Sequence, residues 1–365
     1  MTHRYLFGPG PSLVAPRVMN ALAQPVLGHL DPALLAVMDV LRQRLARVFR
    51  APGGSRVLAV SGTGTAAMET AVANLVEPGR RALVIVNGYF GVRLKEMCAR
   101  YGADVRTVDA EWGRSVDPSA VGRALADFPA DLVAIVHAET STGVRNPVKE
   151  IAALAHARGA LLLADCVTSL GGQEVDMAAW QIDACYSGAQ KCIGAPSGLS
   201  PIAFAPSALP RVVACRSFYF DLALLEDYWA GRKYHHTIGS PLVFALHEAL
   251  TAIEDEGLEA RWERHARVHR AFAAGLDALG LSLLPPANER LMTLNTVRIP
   301  DGVDDAAVRT ELRDTFDIEI GSGIGPLAGK IWRIGLMGAS ATEPLVFLLL
   351  GALETVLTRG RAKTP

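Results

Sequence analysis

Between residues 56 and 205, short apolar runs alternate with helix-patterned segments, and this alternation limits the chain to a few architectures. The runs 56–61, 82–87, 105–110, 132–139, 161–166, 184–190 and 201–205 have the length and composition of strands. Helical spacing separates several of them, as in 91–101 and 146–158. Strands this apolar are covered on both faces. The pattern therefore predicts an α/β fold, a large and mostly parallel sheet between helices. Ligands of such sheets gather beyond the carboxyl ends of the strands, so the residues that close each run matter most.

Asp165 closes the run Leu161-Leu162-Leu163-Ala164, and Lys191 follows the next one in Ser187-Gly188-Ala189-Gln190-Lys191. A carboxylate and an amine delivered to one sheet edge suit pyridoxal phosphate. The amine bonds the aldehyde, and the acid keeps the pyridine nitrogen protonated so that the ring accepts electrons. Taken singly, such residues more often cap a turn or sit in solvent. The turn Ser61-Gly62-Thr63-Gly64-Thr65, before a helical pattern over 66–76, adds a second signal. The first N–H groups of a helix lack intrahelical partners and suit a phosphate, and the two threonines add hydroxyls; simple capping by Thr is the competing reading. Gly62, Gly64 and Ala67 also fit a dinucleotide fingerprint, which an NAD-dependent dehydrogenase would use. That reading needs an acid at the end of the next strand, where Asn87-Gly88 stands instead. Phe90 either stacks on a planar ring or joins the core. The hydroxyl cluster Thr140-Ser141-Thr142 either meets a ligand or caps its loop.

Composition excludes several classes. The net charge is -1 and no basic run occurs, which argues against nucleic acid and anionic membranes. The apolar stretch 344–353 is too short to span a bilayer. The chain start lacks a signal-peptide pattern, and Lys363-Thr364-Pro365 is no peroxisomal address, so a cytoplasmic protein is expected. The five cysteines form no C-x-x-C pair and read as buried thiols. His235 and His236 look metal-like, but neighbours in a strand point to opposite faces and no third ligand is spaced to join them, so no metal is expected. Gly325-Pro326-Leu327-Ala328-Gly329-Lys330 has the wrong glycine spacing for a P-loop. From Pro241 one long helical pattern runs to about Leu279, followed by short strands and helices. The expected organisation is an extended arm over 1–18, a large domain over 19–256 and a smaller α+β domain over 257–365. In the last, Arg333 interrupts an apolar strand, where it needs either an internal acid or a ligand carboxylate.

These tracts, together with Phe7-Gly8-Pro9-Gly10-Pro11-Ser12, Tyr234-His235-His236-Thr237 and Trp332-Arg333-Ile334-Gly335, resemble in order and spacing the class V, fold-type I aminotransferases of the alanine–glyoxylate and serine–glyoxylate (serine–pyruvate) group. The resemblance implies pyridoxal 5'-phosphate as cofactor, small amino-acid and 2-oxo-acid substrates, and a homodimer with shared active sites. It assigns Lys191 to the cofactor aldehyde and to proton transfer, and Asp165 to the pyridine nitrogen. Thr63, Gly64, Thr65 and Gln190 match the phosphate cup; Tyr234 and Thr237 match residues that reach the phosphate of the neighbouring subunit. Phe90, Ser141 and Val167 match positions around the ring, with Ser141 also beside the substrate, and Arg333 matches the substrate-carboxylate clamp. Phe90 stands where eukaryotic alanine–glyoxylate members have Trp, and Thr65 where they have His. The implied reaction moves an amino group from alanine or serine to glyoxylate or pyruvate; pyridoxamine and ureidoglycine are alternative donors. Cysteine desulfurases need a late cysteine, and none follows Cys215. His29 receives no role.

Overall fold

The computed structural model describes residues 4–362, with side chains through residue 359; the tripeptide 363–365 lies outside the described residues. Seven strands form the main sheet in the order Arg56–Gly62, Gly198–Phe204, Ala184–Tyr186, Leu161–Asp165, Leu132–Val136, Arg81–Val86, Asp104–Asp109. Only Gly198–Phe204 runs against its neighbours within this sheet. Every residue of Leu132–Val136 and Leu161–Asp165 is buried, as strands covered by helices on both faces must be. The parallel direction brings the chain after Gly62, Val86, Val136, Asp165 and Tyr186 to one edge.

A second sheet joins Leu294–Arg298, Ile331–Gly335 and Gly321–Ser322, all antiparallel. Its core includes Phe272, Trp332, Ile334, Leu349 and Leu353, and Phe7 from the N-terminal arm packs into it. The arm is fixed at both ends of its crossing. Gly335 N–H donates to the Phe7 carbonyl at 2.8 Å, and Ser12 N–H donates to that of Gln190 at 2.9 Å. Extended backbone reaches only to Ala15, because Pro16 opens the helix Pro16–Leu22. The long helical pattern after Pro241 is two helices, Ser240–Glu256 and Leu258–Ala278. They break at Gly257, whose φ of +83° is readily available to glycine. Among the described residues no helix is long and apolar enough to cross a membrane.

Candidate active site

Beyond the strand ends lies a cavity of about 180 Å³ lined by Thr63, Gly64, Thr65, Met68, Phe90, Arg93, Val136, Ala138, Thr140, Asp165, Val167, Thr168, Gln190 and Lys191. Larger openings, of about 640, 550, 360 and 240 Å³, lie elsewhere, and neither Asp165 nor Lys191 lines any of them. Eight of the residues named from sequence therefore share one wall: Thr63, Gly64, Thr65, Phe90, Asp165, Val167, Gln190 and Lys191.

Asp165 ends its strand and is almost wholly buried. Burial pushes its carboxyl up to about 7, against the Val167 N–H at 2.9 Å and the Tyr186 hydroxyl at 3.0 Å, which favour the ionised form. Tyr186 pairs directly with Asp165 across the parallel strands, which explains why its phenol lies there. Lys191 is not at a strand end: that strand stops at Tyr186, and the lysine sits in a tight turn over Ala189–Ile193 with φ -107° and ψ -127°. Its amine turns inward and donates to the Pro9 carbonyl of the arm. A Cβ at Gly10 would collide with that amine, so the arm passes where only glycine fits. Burial lowers the Lys191 amine to about 8, Arg333 acts in the same direction, and Asp165 opposes them. At neutral pH about a tenth of such an amine is unprotonated and nucleophilic.

The helix Gly64–Leu75 starts at the cavity, and no side chain caps it. The capping reading of Thr63 therefore fails. Gln190 Oε1 is buried with no hydrogen-bond partner, an acceptor left for something in the cavity. Phe90 is half-buried at the cavity wall and outside the core clusters. Asn87, which stands where a dinucleotide site needs an acid, is consumed by Arg114 O and Asn146 at 2.9 Å each.

Four residues named from sequence lie outside the cavity lining. Ser141 is buried, its hydroxyl 2.5 Å from the Glu139 carboxylate while it accepts the Tyr89 N–H at 2.8 Å. Tyr234 is 61% exposed, and Thr237 is exposed on the same loop. Arg333 is buried in its strand, with Nε donating to the Ser322 carbonyl at 2.7 Å. Among the described residues it has no salt bridge, so the internal-acid reading of this arginine fails; Glu139 acts on its charge without bonding it. A buried guanidinium without an anion is unfavourable unless a ligand supplies one. His235 and His236 are not in a strand, and their rings meet, Nδ1 to Nδ1, at 2.7 Å.

Sequence reasoning missed three participants. Arg93 lines the cavity one turn after Phe90 on the same helix, a position the i, i+3 rule flags. Tyr186 needed strand register. Glu139 is wholly buried and accepts from Phe90 N–H, Gly91 N–H and Ser141 N–H at 3.0–3.1 Å, which ties the Phe90 helix start to the Ser141 loop.

The family model for Aminotransferase class-V matches residues 4–331. This chain belongs to the class-V aminotransferases. The aminotransferase superposes on the crystal structure of alanine–glyoxylate aminotransferase from Nostoc sp. with a TM-score of 0.96 at 44% identity, covering 98% of this chain and 96% of that one. It is 38% identical to (S)-ureidoglycine–glyoxylate transaminase of Bacillus subtilis, over 98% of this chain and 92% of the relative. It is 39% identical to alanine–glyoxylate aminotransferase of Oryctolagus cuniculus, over 97% and 93% respectively. The sheet just described is thus that of the fold-type I aminotransferases.

Proposed function

We propose that this aminotransferase binds pyridoxal 5'-phosphate in the Asp165–Lys191 cavity and moves an amino group from alanine or serine to glyoxylate or pyruvate. The observation that carries the reading is one cavity holding a buried carboxylate, an amine of lowered basicity and an uncapped helix start. The unpartnered Gln190 Oε1 supports the fit of a polar group there. When bound, the cofactor supplies an aldehyde for an amine and a ring that withdraws electrons. Asp165 would face the pyridine nitrogen and, ionised beside the pyridinium, would keep that nitrogen protonated. Thr63, Gly64, Thr65 and the amide N–H of Gln190 would hold the phosphate, and Phe90 and Val167 would lie against the ring. Arg333 orients the substrate by its carboxylate, and Ser141 holds the loop beside it. Lys191 Nζ takes the proton from the donor's Cα and later returns one to the acceptor. Homodimerisation brings Tyr234 and Thr237 to the neighbour's phosphate, in keeping with their exposure in the single chain. We place the protein in the cytoplasm.

A matrix of amino donors and oxo acceptors tests the assignment, following the aldehyde-to-amine absorbance change of the reconstituted enzyme. Alanine or serine with glyoxylate or pyruvate should turn over fastest. Preference for ureidoglycine would move the protein to the second reading, which the Bacillus relative favours. Absence of transfer with every pair would contradict both.

A further inference from the structure

At the helix start that faces the cavity, the groups assigned to the phosphate are all neutral: Thr63, Gly64, Thr65 and Gln190. A phosphate monoester near pH 7 carries a charge of about -1.5 to -2. Backbone N–H groups and a helix dipole offset part of that charge, but a dianion in a partly enclosed site calls for a cation as well. Two cationic side chains line the cavity, Lys191 and Arg93. Lys191 is committed to the aldehyde. Arg93 is left.

Its placement fits that task. One guanidinium N–H donates to Thr65 Oγ1 at 3.0 Å. Because Thr65 accepts this bond, its own hydroxyl proton remains free to point at an anion. The guanidinium carbon lies 5.0 Å from the centre of the Phe90 ring and 5.3 Å from that of Tyr89, so the group is braced against the aromatic wall. Among the described residues no acid pairs with Arg93, whereas Arg114, a more exposed residue, pairs with Glu289 at 2.9 Å. The chain thus keeps one braced, unneutralised cation beside its anion-binding turn.

We propose that Arg93 is the charge-bearing member of the phosphate cup and sets the preference for the phosphorylated over the unphosphorylated cofactor. The proposal rests on the assignment of pyridoxal phosphate to this cavity. It differs from a scaffolding role for Arg93, in which the side chain only holds Thr65 and Phe90 in place. A scaffold would affect both forms of the cofactor alike.

The test measures dissociation constants of the apoenzyme for pyridoxal phosphate and for pyridoxal by absorbance titration, in the wild type, Arg93→Gln and Arg93→Lys, with thermal melting as a check on folding. We expect Arg93→Gln to weaken pyridoxal phosphate roughly tenfold or more while pyridoxal binding changes little. Arg93→Lys, which keeps the charge but not the fork, should recover part of the loss. An equal loss for both ligands, or an unchanged ratio, would overturn the proposal and leave the cofactor assignment standing. A wild type that binds neither ligand would instead remove the cofactor assignment itself. If Arg93→Gln does not fold, the neutral Arg93→Met takes its place: a lowered preference for pyridoxal phosphate over pyridoxal supports the proposal, and an unchanged ratio overturns it.

Discussion

The turn at Thr63–Thr65 and the strand centre at Arg333 both offer an anion a place to bind, and they are built in opposite ways. In the first, the donors come from one contiguous stretch: a strand ends, the chain turns at Gly62, and a helix begins uncapped. Much of the attraction is backbone, shared among several groups. In the second, a single guanidinium does the work and its surroundings come from far apart in sequence. The Ser322 carbonyl fixes its Nε, Glu139 acts on its charge from another loop without bonding it, and the arm around Phe7 bonds Gly335 on the same strand. A site spread over many donors should degrade gradually under mutation. A site resting on one side chain should fail at once.

The largest difference should come from Arg333→Gln. We expect kcat/KM for carboxylate substrates to fall on the order of a hundredfold, with little change in cofactor affinity, because a charge-assisted fork is lost from a buried position. Steady-state kinetics beside a cofactor titration checks this; a large loss of cofactor affinity would merge the two sites that we separate. Thr63→Ala should be milder, about threefold to tenfold in cofactor affinity, because one hydroxyl leaves a set of N–H donors intact. A hundredfold loss there would break the contrast.

The smallest effect concerns the loop that carries Tyr234 and Thr237. The Phe218 carbonyl only accepts, so His235 Nε2 donates to it at 3.1 Å. His235 Nδ1 then accepts from His236 Nδ1 at 2.7 Å, and His236 Nε2 is 2.6 Å from the Ser61 hydroxyl and accepts its proton. This order of donors needs both rings neutral. Burial pulls His236 from its ordinary 6.5 down to about 4, and the nearby His235 and His29 add to it. The folded value lies below the unfolded one. Its stabilising effect is therefore complete above pH 6.5 and is lost as the pH falls towards 4. Melting temperature should drop across that window by about a degree or two more in the wild type than in His236→Gln. Equal pH profiles for the two proteins would contradict the relay.

The same contrast explains how much could be read from sequence. The place of Asp165 at the cavity was legible because one acid closes an otherwise apolar run, and that of the Thr63–Thr65 turn because its glycines and threonines are adjacent. The alternation of strands and helices gave the main sheet for the same reason. Lys191 was legible as a residue but not in its setting: the expected strand over 184–190 stops at Tyr186, and the amine faces an arm whose glycine sits some 180 residues earlier. Arg333 was visible as an anomaly inside an apolar strand, yet its freedom from an internal acid depends on where every carboxylate folds. Tyr186 and Glu139 matter through register and loop packing, and neither leaves a local pattern. Arg93 did leave one, a cation one helical turn after the aromatic residue. The strand setting expected for the histidine pair was wrong: the rule of opposite faces holds for strands, and residues around 235 form none.

The central claim is that Lys191 and Asp165 grip one cofactor. The most direct measurement is borohydride reduction of the enzyme with pyridoxal phosphate, followed by mass analysis of the digested peptides. We expect a single stable adduct on the peptide containing Lys191, absent from a folded Lys191→Ala variant. An unmodified Lys191, or equal labelling of other lysines, would contradict the account.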